Sequence, residues 1–164
     1  MDGYIATPDG GLDWLCATPN PDDDDYGYAE FIAGIDAIVM GRKTFEKALA
    51  FDSWPYTKPV SLTNSLVQLP EAVENKAKKV KGDLKELVQQ LNETEYGNLY
   101  IDGGSIIRSF LAEDLIDELT ITSIPVLLGS GIPLFIQLSN TLTFKHQRTE
   151  VLSLILIPDA AFPL

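Results

Sequence analysis

Val39-Met40-Gly41-Arg42-Lys43-Thr44 and Tyr100-Ile101-Asp102-Gly103-Gly104-Ser105 carry the reading of this chain. In each, a short apolar run enters glycine and passes straight into residues with helical spacing. Residues 37–40 are too few and too uniformly apolar for a surface helix, so they read as a buried strand, and 98–101 read the same way. A strand that turns directly into a helix leaves the helix's first N–H groups without partners at the carboxyl edge of the sheet. Those donors, with the positive end of the helix dipole, suit a phosphate. Glycine removes the Cβ that would obstruct the approaching oxygens. Arg42 and Lys43 add charge beside the first turn, and the Thr44 hydroxyl adds a donor. Two such turns can hold the two ends of a dinucleotide at a switch point of the sheet. Neither matches a standard fingerprint: Gly41-Arg42-Lys43-Thr44 follows strand where a P-loop needs loop, and Gly103-Gly104 lacks the third Rossmann glycine.

Working outward, Tyr28, Phe31 and Ile32 fall at helical spacing over 26–34, with Gly34 as a stop. Residues 42–49 read as a helix and 60–62 as a strand ending in Thr63-Asn64-Ser65. Asp83 opens an amphipathic helix with Leu84, Leu87, Val88 and Leu91 on one face, and 105–111 is another helix. Residues 118–128 alternate and then become wholly apolar, as a long central strand would, and 142–157 can supply two more strands. Strand and helix alternate, then strands close the chain. That order predicts an α/β fold, with a mostly parallel sheet and an antiparallel C-terminal edge.

The chain has 164 residues, the size of one domain. Its formal charge of −12 disfavours nucleic acid and anionic lipid as partners. An anionic cofactor would need locally placed donors. Cys16 is the single cysteine, which excludes an intramolecular disulfide and a thiolate cluster. His146 is the single histidine, which excludes a multi-histidine metal centre; set in Lys145-His146-Gln147-Arg148, it reads as a solvated residue. Asp22-Asp23-Asp24-Asp25 reads as a solvated loop entering a helix, whose N-terminus favours negative charge. No run approaches the ~18 apolar residues of a membrane helix, and no basic flank and apolar core mark a leader, so the expected address is the cytoplasm.

Asp2-Gly3-Tyr4-Ile5-Ala6, Gly10-Gly11-Leu12-Asp13-Trp14 and Val39-Met40-Gly41-Arg42-Lys43-Thr44-Phe45-Glu46, in that order, resemble motifs of the dihydrofolate reductase superfamily. Ile101-Asp102-Gly103-Gly104 and Ile124-Pro125-Val126-Leu127-Leu128-Gly129-Ser130-Gly131-Ile132-Pro133-Leu134-Phe135 are similar to one branch of it. That branch is the reductase domain of bifunctional riboflavin-biosynthesis enzymes and its stand-alone relatives. The resemblance spans roughly residues 2–150. It implies a single dihydrofolate-reductase-like domain over 1–164, a three-layer αβα sandwich with NADPH across the strand ends. By motif, Gly41, Arg42, Lys43 and Thr44 would meet the adenosine-side phosphates, and Thr63 and Asn64 the region of the 2′-phosphate. Gly103, Gly104, Ser105 and Ile106 would hold the pyrophosphate, and the Ala6 backbone the nicotinamide carboxamide. Asp13 and Trp14 belong to the loop over the nicotinamide. Arg42 and Lys43 favour NADPH over NADH, because the 2′-phosphate needs a cation. The resemblance also implies a homodimer.

The chain departs from the family in three places. The pterin-binding carboxylate of dihydrofolate reductases falls here on Gly27, and the tyrosine after their double glycine is Ile107. The family's first strand precedes the Asp2-Gly3-Tyr4 motif, whereas this sequence starts at Met1, and 154–164 differ from the family's last strand. Either the sequence is shortened or another segment fills the gap. Dihydrofolate itself is therefore a poor fit, and no paired cysteines announce a zinc deaminase domain. The expected function is NADPH-dependent reduction of a pteridine- or pyrimidine-like heterocycle. Tyr28, Phe31 and Trp14 would line the substrate, and Asp13 would be the candidate acid. The alternative for Tyr28 and Phe31 is plain core packing. The alternative for the whole chain is a nucleotide-binding or structural homologue without catalysis.

Overall fold

Consecutive residues of a strand face opposite sides of the sheet, and the central strand here is buried on both. In the computed structural model, which describes residues 2–17, 20, 23–63, 69–80, 82–135, 138 and 141–151, Ala37–Met40 (β2) is wholly buried. Its neighbours run parallel to it: Val60–Thr63 (β3) on one side and Leu99–Asp102 (β5) on the other. Ala77–Val80 (β4) extends the sheet beyond β3, giving the order β4-β3-β2-β5. Arg42–Leu49 (α3) connects β2 to β3, and Leu84–Glu93 (α4) connects β4 back to β5. These crossovers step in opposite directions along the sheet. The right-handed rule therefore sends their helices to opposite faces.

The cores follow that rule. Ile38, Met40, Val60, Leu62 and Ala77 pack with Phe45 of α3 on one face, joined by Ile32 from Tyr28–Ala33 (α2). Val39 packs with Leu87 and Leu91 of α4 on the other, with Ile106 and Phe110 of Gly104–Ala112 (α5). The result is the expected three-layer α/β arrangement with a parallel central sheet. Asp83 caps α4 as predicted, its carboxylate accepting from the Glu86 N–H at 2.8 Å. β4 was not expected from the pattern. Lys78 and Lys79 are exposed between buried Ala77 and half-buried Val80, a polar signature that protects an outer strand from pairing further.

The antiparallel component lies elsewhere than expected. Tyr4–Ala6 (β1) pairs with Ile132–Pro133 (β6) as a separate two-stranded ribbon. The strand predicted over 118–128 does not form. Pro125 has no N–H to give a ladder, and the Val126 N–H turns back to the Ile124 carbonyl at 2.8 Å, kinking the chain there. Nor do residues 142–151 form a strand; 152–157 lie outside the described residues. Alternation reports which side chains suit a half-buried surface. It does not supply the neighbouring strand that a ladder needs.

Candidate active site

The register Met40↔Asp102 puts the carboxyl ends of β2 and β5 side by side. From there α3 leaves over one face and α5 over the other, so a crevice opens between the two helix starts. Neither helix start carries a side-chain cap. The glycines of the two turns differ in what requires them. Gly103 has φ +107°, a conformation that side chains resist, and a Cβ there would lie 2.2 Å from the Thr44 hydroxyl oxygen. It is glycine so that the two turns can touch. Gly41 has φ −88°, and among the described residues a Cβ on it would meet no atom nearer than Ile106 at 4.0 Å. Space therefore remains beside the first turn for a ligand.

The N-terminal ribbon closes on this crevice. A Cβ on Gly104 would strike the Ile5 side chain at 2.5 Å, and one on Gly131 would lie 2.2 Å from the Ala6 carbonyl oxygen. The Gly129 N–H donates to the Asp2 carboxylate at 2.8 Å, which lowers that carboxyl's pKa and ties the glycine loop to the start of the chain. Ala6, Thr44, Gly103, Gly104 and Ile106, scattered in sequence, thus gather in one neighbourhood. Thr63 ends β3, one position beyond Leu62, the register partner of Met40, and so sits at the same sheet edge. Arg42 is largely exposed and pairs with Glu46 at 3.7 Å; Lys43 is exposed, and Ser105 lies in the first turn of α5. Asn64 lies outside the described residues.

A second cluster occupies the α2–α3 side of β5. Tyr100 and Asp102, two apart on the strand, share that face. Phe31 meets Tyr100 edge-on with ring centroids 5.1 Å apart, and Tyr28 lies 6.5 Å from Phe31. From the core side, Phe45, Trp54 and Tyr56 form a chain of edge contacts at 5.6 and 5.5 Å. Tyr56 then donates its hydroxyl proton to the Asp102 carboxylate at 2.6 Å. Burial raises the Asp102 pKa, partly offset by that hydrogen bond. Burial likewise pushes the Tyr56 and Tyr100 hydroxyls above the ordinary tyrosine range, with Asp102 adding to both. Tyr28 is raised more modestly by burial and by Asp102. A half-buried carboxyl that binds its proton more tightly than a free one is a candidate acid beside a reacting ring.

Tyr28 and Phe31 are both partly exposed beside this carboxyl, in an open position and not in the plain core. Asp13 is exposed on the short helix Asp13–Cys16 (α1) and makes no side-chain hydrogen bond among the described residues. Trp14 is half-buried on α1. Asp102, Tyr56 and Tyr100 are candidate site residues that sequence reasoning passed over. Asp102 stood inside a quoted motif, but its burial and its tyrosine partner depend on a contact across 46 positions. Among the described residues no group of three or more His, Cys, Asp or Glu side chains is placed to hold a metal ion. No helix there is long and apolar enough to cross a membrane.

These features define a doubly covered α/β protein with its candidate site at the strand ends, between two glycine turns and a half-buried carboxyl. The family model of the RibD C-terminal domain matches residues 56–154. The chain belongs to that family, whose members are dihydrofolate-reductase-like reductase domains of riboflavin biosynthesis. It is 31% identical over 153 residues to the uncharacterized protein YwjB of Bacillus subtilis (strain 168), covering 92% of this chain and 86% of YwjB. A second uncharacterized protein of that organism, YyaP, is 28% identical over 170 residues, covering 93% of this chain and 85% of YyaP. A crystal structure described as a "putative riboflavin biosynthesis protein" from Shewanella sp. PV-4 is 46% identical, with a TM-score of 0.87 over 92% of this chain and 86% of that one.

Proposed function

We propose that the chain is an NADPH-dependent reductase of a small heterocycle, pteridine- or pyrimidine-like, acting in the cytoplasm as a homodimer. The observation that carries this reading is the β2–β5 switch point, where two uncapped helix starts flank the strand ends and Asp102 ends β5. The residues suit a dinucleotide. Space lies open beside Gly41, backbone donors stand at the start of each helix, and Arg42 and Lys43 are the nearby cations for a 2′-phosphate. When bound, NADPH would supply a hydride to a C=N or C=O group of the substrate. Thr44 and Ser105 would donate to phosphate oxygens, and the Ala6 backbone would bond the carboxamide. Tyr28, Phe31 and Tyr100 would hold the substrate ring by stacking and edge contact. Asp102 would be the acid beside the substrate ring, with Tyr56 fixing the orientation of its carboxyl.

The test is an NADPH titration read by nicotinamide fluorescence, with NADH alongside and Arg42→Ala as the comparison. Saturable NADPH binding, with NADH weaker, is expected. Arg42→Ala should cost roughly tenfold, the ~1.5 kcal/mol of one charge-assisted contact. No binding of either nucleotide would sink the reading.

A further inference from the structure

Arg108 on α5 differs from the other two arginines of the chain. Arg42 pairs with Glu46 at 3.7 Å and Arg148 with Glu150 at 3.3 Å, each with a glutamate close by in sequence. The positions three and four away from Arg108 along the helix are Gly104, Ser105, Leu111 and Ala112, so no such pair can form there. Among the described residues Arg108 enters no ion pair, and its guanidinium donates to the Pro133 carbonyl of β6 at 3.3 Å. A half-buried cation usually meets an anion, because burial strips away the water that would solvate it. Carboxylates are plentiful in a chain of −12 charge, so the isolation of Arg108 reflects where it sits and not a shortage of partners.

The helix fixes where Arg108 points. A helical side chain leans toward the N-terminus and covers the turn before its own Cα. Arg108 therefore lies back over Gly104, where a Cβ would come within 3.3 Å of its Nη1. Glycine at 104 leaves room for the guanidinium beside the first residue of α5. The Ile5 side chain presses on the same glycine from β1, so apolar surface flanks the charge there. Pro133 takes one of the five guanidinium donors, and the planar fork can give two others in parallel to one phosphate.

We infer that Arg108 is a phosphate-binding residue of this site, and that the dinucleotide brings the phosphate, through the pyrophosphate common to NADPH and NADH. This rests on the nucleotide reading of the two glycine turns. It divides the cations by role. Arg42 and Lys43 answer to the 2′-phosphate that NADPH alone carries, whereas Arg108, at the turn after β5, answers to the part both nucleotides share.

NADPH and NADH titrations of the wild type, Arg108→Met and Arg108→Lys, read by nicotinamide fluorescence, test the assignment. Arg108→Met keeps the apolar stem and removes the charge, so it should weaken both nucleotides by the same factor, at least tenfold. Arg108→Lys keeps the charge without the fork and should recover part of that loss. Added salt should weaken the wild type more steeply than Arg108→Met. Arg148→Met, at an exposed arginine, should bind as the wild type does. Full affinity in Arg108→Met, or a loss confined to NADPH, would overturn the inference. A lowered Tm with an unchanged salt dependence would also overturn it, assigning Arg108 to the Pro133 contact alone. Inorganic phosphate that binds the NADPH-loaded wild type but not NADPH-loaded Arg108→Met, with NADPH affinity intact, would overturn it in favour of a phosphate on the substrate. Wild-type protein that binds neither nucleotide would instead overturn the reductase reading itself.

Discussion

Asp102 is held at a cost that pH reveals. Its folded pKa is raised above the ordinary value of 3.8 by burial, so the folded state binds its proton more tightly than the unfolded state does. Stability from this group is therefore greatest below 3.8 and falls as pH rises toward the raised folded value. Asp102→Asn removes that dependence while keeping an acceptor for the Tyr56 hydroxyl. Thermal melts of the two proteins from acid to neutral pH should show the variant gaining on the wild type through that window and then levelling. A pH-independent difference would refute the assignment. Ser61 offers a simpler case. It is 1% exposed on β3, and among the described residues its buried hydroxyl has no hydrogen-bond partner. Ser61→Ala removes the orphan group without opening a cavity, so it should stabilise by about 1 kcal/mol, raising Tm by roughly 2–4 °C.

At the scale of elements, the β5–α5 turn holds the site together. Gly103 is the point where the second turn rests on Thr44, and its φ of +107° excludes an ordinary side chain. Gly103→Ala should lower stability by about 2 kcal/mol and weaken NADPH at least tenfold, because the start of α5 must move away from α3. Thr44→Ala as a second change relieves the contact but leaves the strained φ. Because it also removes a proposed phosphate donor, it should restore little of either binding or stability, which calorimetry and the fluorescence titration check. Gly41→Ala makes the contrast. With φ −88° and no close neighbour it should keep its fold, so any lost affinity there reports the ligand.

At the scale of the molecule, the segment after α5 leaves large apolar side chains uncovered. Ile121, Leu127, Phe135 and Phe144 are exposed, Leu127 at 69%. Apolar surface of that kind suits a partner surface, which the proposed homodimer would supply from a second copy of the chain. Sedimentation equilibrium should give a dimer mass, and Leu127→Lys should shift it toward monomer. A monomer at micromolar concentration would count against the homodimer.

How much could be read in advance follows from what each signal encodes. β2, β3, β5 and helices α2 to α5 were legible, because short apolar runs, glycine stops and the Asp83 cap are local facts about neighbouring residues. The two glycine turns were legible for the same reason, and so was the family pattern that joins them. β4 escaped because its lysines hide an outer strand, and 118–128 misled because alternation cannot say whether a partner strand is present. The half-buried carboxyl proposed as the acid also escaped. Asp13 has a motif position but stands exposed, whereas Asp102 gains its burial, its Tyr56 partner and its raised pKa from residues far along the chain. The sequence by itself determined the elements and the turns, since these depend on spacing within a few residues. Only the tertiary structure decided which carboxyl is desolvated, because desolvation depends on everything packed around it.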